Sequence, residues 1–330
     1  MLRSETEGDP ARMAAALAGL RAYQTAARPE RPRAMPIIAS AGRATLADYG
    51  GSGRPVIVIP SLINSPDVLD LLPDHSLMRW LATRGLRPLL IDWGSPTPDE
   101  RDLDLADHIE RLLVPLIETI GSDAALVGYC LGGTMAVAAA AIRPPAGLAL
   151  IAAPWHFSGF PEDARRGLAA LWAQARPSAE AMGMLPLEVL QSGFWRLDPA
   201  RTVGKFVAFG ARDQAAADIR RFVALEDWAN DGAALTAAAG RELVLDFFGQ
   251  DRPGRGTWRV AGRAIDPSAL ACPTLDIVST TDRIVPAASA ANIGRRLTLA
   301  QGHVGMMVGG RARTLLWEPL ARWLSDPTAR

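Results

Sequence analysis

The chain has 330 residues, of which 49% are hydrophobic and 21% charged, a balance that is ordinary for a soluble globular protein. Basic and acidic side chains number 35 each, so the formal net charge is zero and we expect no nucleic-acid partner. The two cysteines, Cys130 and Cys272, exclude a disulfide scaffold and favour a reducing, cytoplasmic compartment. No stretch of about 18 uninterrupted apolar residues occurs, so we expect no transmembrane helix and no signal peptide.

The first forty residues differ in pattern from the rest. Residues 9–23 have the spacing of an amphipathic helix, and residues 28–36 (RPERPRAMP) form a proline-rich connector. We therefore assign residues 1–40 to an N-terminal helical extension and linker.

From about Gly42 the predicted strands and helices alternate. Short aliphatic runs predict strands over 55–59, 87–92, 124–129, 146–152, 273–278 and 296–299. Helical spacing predicts helices over 75–84, 103–120, 131–142, 287–294 and a last one that ends at Leu324. This alternation implies right-handed crossovers and a mostly parallel sheet with helices on both faces.

The alternation is interrupted once. Residues 155–255 are helical in pattern, rich in large apolar side chains and without a clear strand. An α/β sheet with such an insertion is typical of the α/β-hydrolase fold with a helical cap. We predict a core made of residues 41–154 and 256–330, and a cap made of residues 155–255.

One pentapeptide lies at the end of the predicted strand 124–129, at the strand-to-helix turn where an α/β-hydrolase sheet carries its nucleophile. Gly128-Tyr129-Cys130-Leu131-Gly132 fits G-x-C-x-G, the nucleophile elbow with cysteine in the usual serine position. The chain turns sharply there from strand to helix, and the glycines leave room for neighbouring backbone. The N-terminus of the following helix favours a thiolate, and the N–H of Leu131 would form half of an oxyanion hole. The alternative is a buried structural cysteine, which this position in the alternation disfavours.

The chain order nucleophile, acid, histidine selects the base among four histidines. His303 follows the last predicted strand in a glycine-flanked loop and is the predicted general base. His75 and His108 precede the elbow and are predicted to lie at the surface or at helix ends. His156 starts the cap and is predicted to be structural.

The acid should follow the strand before that histidine. Asp282 does so, whereas its rival Asp276 lies inside the strand, and we predict that Asp282 orients His303. The second oxyanion donor should come from the loop after residues 55–59. The N–H of Ile63 or of Leu62 would supply it, and we favour Ile63.

Several separated motifs together resemble a known family. The set GYCLGGT, VIVIPSLIN, LEDWANDG, DRIVP and GHVGMMVGG, from about Val56 to the C-terminus, is similar to the polyhydroxyalkanoate (poly-3-hydroxybutyrate) synthases. These are acyltransferases of the α/β-hydrolase fold that polymerise 3-hydroxyacyl-CoA with a Cys-Asp-His triad. The resemblance implies that Cys130 accepts the acyl group, that His303 is the base and that Asp282 is its partner. It implies a CoA thioester as substrate, with no cofactor and no metal.

The resemblance carries further expectations. The length is similar to the short catalytic subunits of the family, which implies a second non-catalytic subunit or a homodimer, and a place on the surface of storage granules. Arg283 stands where the family usually has histidine, and we consider it both as a contact for a CoA phosphate and as a plain surface arginine. The residues that we predict to contact substrate are Leu62, Asn64, Tyr129, Trp155 and Trp228.

A thiol suits acyl transfer from CoA. Attack by a thiolate converts one thioester into another near energetic balance, so the acyl group stays activated until a hydroxyl arrives. Two other functions remain open at this point. One is a cysteine-dependent thioesterase or ester hydrolase of the same fold, and the other is a non-catalytic relative that binds granules or a synthase.

Overall fold

A mixed sheet forms the centre of the protein in the computed structural model, which describes residues 2–197, 199–212 and 217–327. Among the described residues this sheet has eight strands. They are β1 (Ile37–Ala41), β2 (Ala44–Asp48), β3 (Pro55–Ile59), β4 (Arg87–Asp92), β5 (Ala125–Tyr129), β6 (Gly147–Ile151), β7 (Thr274–Ser279) and β8 (Arg295–Leu299).

The strands lie in the order β1-β2-β4-β3-β5-β6-β7-β8. The pairs β1–β2 and β2–β4 are antiparallel, and every other neighbouring pair is parallel. The predicted mostly parallel sheet is therefore confirmed, whereas the hairpin of β1 and β2 was not predicted. Because β5 and β6 are central and fully buried, the carboxyl end of β5 lies where open parallel sheets bind ligands.

Helices cover both faces of the sheet. They are α1 (Leu2–Glu5), α2 (Pro10–Thr25), α3 (Leu77–Ala82), α4 (Leu105–Asp107), α5 (Val114–Ile120), α6 (Leu131–Ile142), α7 (Glu162–Met182), α8 (Leu187–Leu197), α9 (Pro199–Gly210), α10 (Ala217–Ala229), α11 (Ala237–Arg241), α12 (Gly305–Val308) and α13 (Glu318–Ser325). Three π-helical segments, His108–Leu113, Glu242–Gly249 and Arg313–Trp317, adjoin α4, α11 and α13. None of the described helices is long and apolar enough to cross a membrane.

The segment predicted as a cap contains α7 to α11 and leaves the sheet between β6 and β7. It also holds a short antiparallel pair that the sequence did not predict, Met184–Leu185 with Leu235–Thr236. This pair joins the end of α7 to the start of α11, so the two sides of the insert are tied by backbone hydrogen bonds.

The predicted helix over residues 287–294 is wrong. A single 3₁₀ turn, Ala287–Ser289, stands there, and the chain then runs without helix to β8. Asn292 and Gly294 have positive φ values of 57° and 61°, and the N–H of Asn292 donates to Asp276 at 3.0 Å. Left-handed residues cannot continue a right-handed helix, so the helix-favouring alanines are overridden.

Of the two positions predicted for His108, the helix end is confirmed at the end of α4, whereas the surface position is wrong. The side chain is 1% exposed, its Nδ1 lies 2.6 Å from the Asp104 carbonyl oxygen, and its Nε2 lies 2.7 Å from Arg43. The pKa of His108 is lowered to about 4, chiefly by burial and also by the Arg43 charge, against the effect of the Asp104 hydrogen bond. The neutral ring therefore donates to Asp104 and accepts from Arg43, which makes it a structural linker.

The N-terminal helix α2 packs on cap helix α9. Gly19 and Gly210 face each other, and a Cβ atom on Gly19 would overlap the carbonyl of Phe206. Tyr23 and Arg28 add a hydrogen bond of 2.6 Å and an ion pair of 3.1 Å to Asp227 in α10. The N-terminal extension is therefore attached to the cap and not only to the sheet.

Helix α6 packs unusually close to the sheet because of its glycines. A Cβ atom on Gly132 would overlap the carbonyl oxygens of Ile59 and Pro60, and one on Gly133 would overlap the side chain of Ala153. Ten of the twelve residues of α6 are buried. The turn that precedes α6 is therefore fixed by backbone packing on both sides.

We expect Gly132→Ala to lower the free energy of unfolding by about 1–3 kcal/mol, because the added methyl group would force backbone apart. Gly204→Ala is the matched control, since a Cβ atom at Gly204 in α9 meets nothing within 4 Å. The control should raise stability by up to about 1 kcal/mol through helix propensity. Chemical denaturation measures both variants, and equal effects at the two sites would contradict close packing at the elbow.

Candidate active site

The turn between β5 and α6 holds Cys130 in a strained backbone conformation. Its φ is 56° and its ψ is −132°. Its N–H donates to the Ile151 carbonyl at 3.0 Å, and its own carbonyl accepts from Gly133 at 2.8 Å. A positive φ at a residue with a Cβ costs roughly 1–3 kcal/mol, so the surrounding packing must hold it. The result is a partly exposed thiol at the carboxyl edge of the sheet.

His303 lies between Cys130 and Asp282. Its Nδ1 is 2.7 Å from Asp282 Oδ2, and Cys130 is its other side-chain hydrogen-bond partner. Burial lowers the pKa of His303, but the negative charge on Cys130 and the hydrogen bond to Asp282 outweigh it and raise the pKa to about 10. The raised pKa favours the protonated imidazole at neutral pH, with Cys130 and Asp282 as its two side-chain partners.

Asp282 is held by the loop that follows β7. Its Oδ1 accepts from the N–H groups of Ile284 at 2.8 Å and Val285 at 2.9 Å, which leaves Oδ2 for His303. The rival Asp276 is completely buried and pairs with Arg296 at 3.2 Å. The structure brings Cys130, His303 and Asp282 together and places Asp276 elsewhere.

Tyr129 supports the histidine. The two rings stack with centroids 4.9 Å apart at 22°, and the phenol donates to the His303 carbonyl oxygen at 3.3 Å. Burial raises the pKa of Tyr129 well above its usual value, and the charges of Cys130 and Asp282 raise it further. The phenol therefore stays protonated and fixes the ring plane of His303, a contact that was not predicted from the sequence.

Two cavities border Cys130 in the described part of the chain. The larger, about 350 Å³, is apolar and is covered by α7. Its walls include Phe157, Phe160, Leu168, Leu171, Leu190 and Phe248. The smaller, about 210 Å³, is also lined mostly by apolar surface, but it has more polar side chains in its walls and is called the polar chamber for that reason; they include Ser61, Asn64, Gln191 and Lys205. Cys130, Ile63 and Ile284 line both, so the thiol lies where an apolar and a polar chamber meet.

The two predicted oxyanion donors flank this junction. Leu131 is the first residue of α6, so its N–H has no acceptor within the helix. The N–H of Ile63 donates to Ser61 Oγ at 3.2 Å. Leu62, the alternative donor, packs in the core and lines neither cavity in the described structure.

The other residues predicted to contact substrate fall into two groups. Asn64, Tyr129 and Trp228 line the polar cavity, and the indole N–H of Trp228 donates to the Ser65 carbonyl at 2.8 Å. Trp155 is 2% exposed, packs against another indole and borders neither cavity. Arg283 is exposed and lies at the wall of the apolar cavity.

Lys205 is a site residue that the sequence reasoning missed. It is the one lysine in the sequence, it lines the polar cavity, and its Nζ pairs with the buried Glu226 at 2.6 Å. The feature of the sequence that could have indicated a special role is that Lys205 is the one lysine in a chain whose other basic side chains are arginines. Its place in a helix with no motif gave no indication of which way it points.

A family model described as the alpha/beta hydrolase family matches residues 56–314. The chain is 29% identical over 293 residues to the poly(3-hydroxyalkanoate) polymerase subunit PhaC of Haloferax mediterranei, covering 82% of this chain and 58% of that one. It is 28% identical over 291 residues to the subunit of the same name from Allochromatium vinosum, covering 82% and 81%. The chain thus spans less than two thirds of the Haloferax relative and most of the Allochromatium one.

Among solved structures, the protein Rv0554 from Mycobacterium tuberculosis matches with a TM-score of 0.54 and 17% identity, over 87% of this chain and 94% of that one. This likeness concerns the fold, which is the α/β-hydrolase fold predicted from the sequence. The chain therefore belongs to the alpha/beta hydrolase family, and its similarity to the poly(3-hydroxyalkanoate) polymerase subunits confirms the resemblance predicted from its motifs.

Proposed function

We propose that the protein is an acyltransferase that polymerises 3-hydroxyacyl-CoA into polyhydroxyalkanoate through an acyl-cysteine at Cys130. The observation that carries the proposal is a thiol paired with a charged, carboxylate-held histidine at the junction of an apolar and a polar chamber. The similarity to polymerase subunits supports the substrate class.

In the first half-reaction the Cys130 thiolate attacks the thioester carbonyl carbon. The carbonyl oxygen becomes an oxyanion beside the N–H of Leu131, and the N–H of Ile63 would join it by exchanging its hydrogen bond to Ser61 Oγ. When the intermediate collapses, the bond to the CoA sulfur breaks, and the His303 imidazolium gives its proton to that sulfur. The products are acyl-cysteine and the CoA thiol, and the imidazole is left neutral.

In the second half-reaction the neutral imidazole takes the proton of a 3-hydroxyl group as its oxygen attacks the acyl-cysteine. The carbon–sulfur bond breaks and Cys130 leaves as the thiolate, so the starting ion pair returns. The product is an oxygen ester, which lengthens the polyester by one unit. Asp282 keeps Nδ1 protonated and the ring oriented through both halves.

The two chambers offer different side chains to the reactants. The apolar chamber suits the hydrocarbon part of an acyl group, and its aromatic walls disfavour water that would otherwise hydrolyse the acyl-cysteine. The polar chamber offers hydrogen-bond partners for the amide arm of CoA or for an incoming hydroxyl.

We expect Cys130→Ala to abolish CoA release from 3-hydroxybutyryl-CoA, because Cys130 is the one nucleophilic side chain among the described residues that line both chambers. Cys130→Ser should be nearly inactive, because a hydroxyl is far less ionised than a thiol at neutral pH. Cys272→Ala is the matched control and should keep its activity, since Cys272 lines neither cavity.

CoA release is followed with a thiol reagent and polymer by light scattering. Turnover that persists in Cys130→Ala would contradict an acyl-cysteine intermediate at Cys130. Release of CoA and free 3-hydroxybutyrate without polymer would replace polymerisation by thioester hydrolysis.

Asp282→Asn should lower kcat by several orders of magnitude, about 10⁴-fold by analogy with the loss of the orienting acid in a serine triad. Asp276→Asn, the matched control, should change stability and leave the rate close to that of the wild type, because Asp276 contacts Asn292 and Arg296. Steady-state rates and thermal unfolding of both variants test this assignment. A large loss of rate in Asp276→Asn with little loss in Asp282→Asn would make Asp276 the acid that orients His303.

The pKa of His303 should fall when its anionic partner is removed. In the wild type the ring should remain charged through pH 8, and in Cys130→Ala it should lose its proton at a lower pH, because the thiolate no longer raises the pKa. Ring-proton NMR titration measures both. The ring of His108, which has a pKa of about 4, is an internal control that should not move. An unchanged His303 titration would mean that Cys130 carries no charge in the resting protein.

A further inference from the structure

A recess of about 380 Å³ opens beside α12, outside the two chambers at Cys130. Three arginines from two parts of the chain line it, Arg220 and Arg221 from α10 and Arg313 from the π segment before α13. Among the described residues that line the recess, Asp74 supplies the single carboxylate. The recess therefore has an excess of positive charge in a protein whose net charge is zero.

These arginines are not used for structural ion pairs. Within the described ranges, no carboxylate forms a salt bridge or a hydrogen bond with Arg220, Arg221 or Arg313. The acids of α10 are engaged elsewhere, since Glu226 pairs with Lys205 and Asp227 pairs with Arg28. Placing three like charges around one concave surface is unfavourable unless an anion joins them. Guanidinium groups offer several N–H donors in a planar fork, which suits phosphate oxygens.

His75 lines the same recess, and the positive charge of the arginines affects its pKa. Its Nε2 is 2.8 Å from the Val308 carbonyl oxygen, so this nitrogen carries the proton. Burial lowers the pKa of His75, and the charges of Arg221 and Arg313 lower it further, against the Val308 hydrogen bond and Asp74. The ring is therefore neutral at pH 7 and would gain a proton more readily if an anion offset the arginine charges.

The recess adjoins the reactive centre along the chain. Val304 lines the polar chamber, and Gly309 and Gly310 line the recess at the other end of α12. Gly309 is six positions after His303, so the two lie within about 20 Å even if that segment were fully extended. A ligand with phosphates at one end and a thioester at the other, joined by a flexible arm, can span this distance. A CoA thioester has that construction.

We propose that Arg220, Arg221 and Arg313 bind phosphate groups of the CoA part of the substrate, while the pantetheine arm passes through the polar chamber to Cys130. This inference rests on the proposed function and adds to it the site that holds the nucleotide end. Arg283, at the wall of the apolar chamber, is then not the phosphate contact.

Binding to the full chain, measured by calorimetry with CoA and with adenosine 3′,5′-bisphosphate, tests the site without turnover. Arg220→Gln/Arg221→Gln and Arg313→Gln should each weaken both ligands about ten-fold or more, and added salt should weaken the wild type. Arg263→Gln is the control, because Arg263 is exposed on a separate hairpin and lines none of these cavities in the described structure. Arg221→Lys, which keeps the charge, should retain part of the affinity and guards against misfolding of the Gln variants.

Two further readouts separate this inference from the proposed function. Saturating adenosine 3′,5′-bisphosphate should raise the NMR-measured pKa of His75 in the wild type and not in Arg313→Gln. In turnover assays, the ratio of kcat/KM for 3-hydroxybutyryl-CoA to that for the pantetheine thioester should fall about ten-fold in the Gln variants.

Unchanged bisphosphate affinity in the Gln variants, or a loss seen only in Arg283→Gln, would overturn the recess as the phosphate site. Loss of polymerisation with intact bisphosphate binding at the recess would instead count against the proposed function alone.

Discussion

The positive φ at Cys130 is the constraint on which the arrangement of the site depends. An ordinary strand-to-helix connection would not place this side chain outward at the edge of β5, and a relaxed turn would not bring α6 against the sheet. The strain is held by hydrogen bonds to β6 and by glycines at 128, 132 and 133, none of which leaves room for a Cβ atom. Ala152, at the end of β6, also has a positive φ, 45°, so two adjacent strands end in strained residues at the same edge.

The second requirement is to keep a buried histidine charged. Burial alone would favour the neutral ring, and a buried cation without partners would destabilise the fold. Asp282 and Cys130, on opposite sides of the ring, offset the cost of burying the His303 charge. The carboxylate of Asp282 is itself stabilised by two backbone N–H groups. Tyr129 adds no charge but fixes the ring plane. Cys130, His303 and Asp282 are therefore held in one hydrogen-bonded row that begins at the junction of the two chambers.

Much of the core and of the candidate site could be predicted from the sequence because these features have local signatures. The strands 55–59 and 87–92 and the helix 131–142 match the structure residue by residue, and Cys130, Asp282 and His303 were selected by their places in the strand order. The predictions that were wrong concern features that depend on contacts between residues distant in the sequence. The helix predicted over residues 287–294 is prevented by left-handed residues tied to Asp276, and His108 is buried by Arg43, 65 residues away. The division into chambers, the place of Lys205 and the arginine recess arise only when α9 and α10 pack over the sheet.

The packing of α2 on α9 has a mechanical consequence. Lys205, in the wall of the polar chamber, belongs to α9, and α2 packs against the same helix through the contact of Gly19 with Gly210. If α9 moves outward, α2 must either move with it or lose the contact between Gly19 and Gly210. Residues 26–36 connect α2 to β1 and reach about 36–40 Å at full extension. The N-terminal segment can therefore limit how far α9 moves away from the polar chamber without preventing that movement.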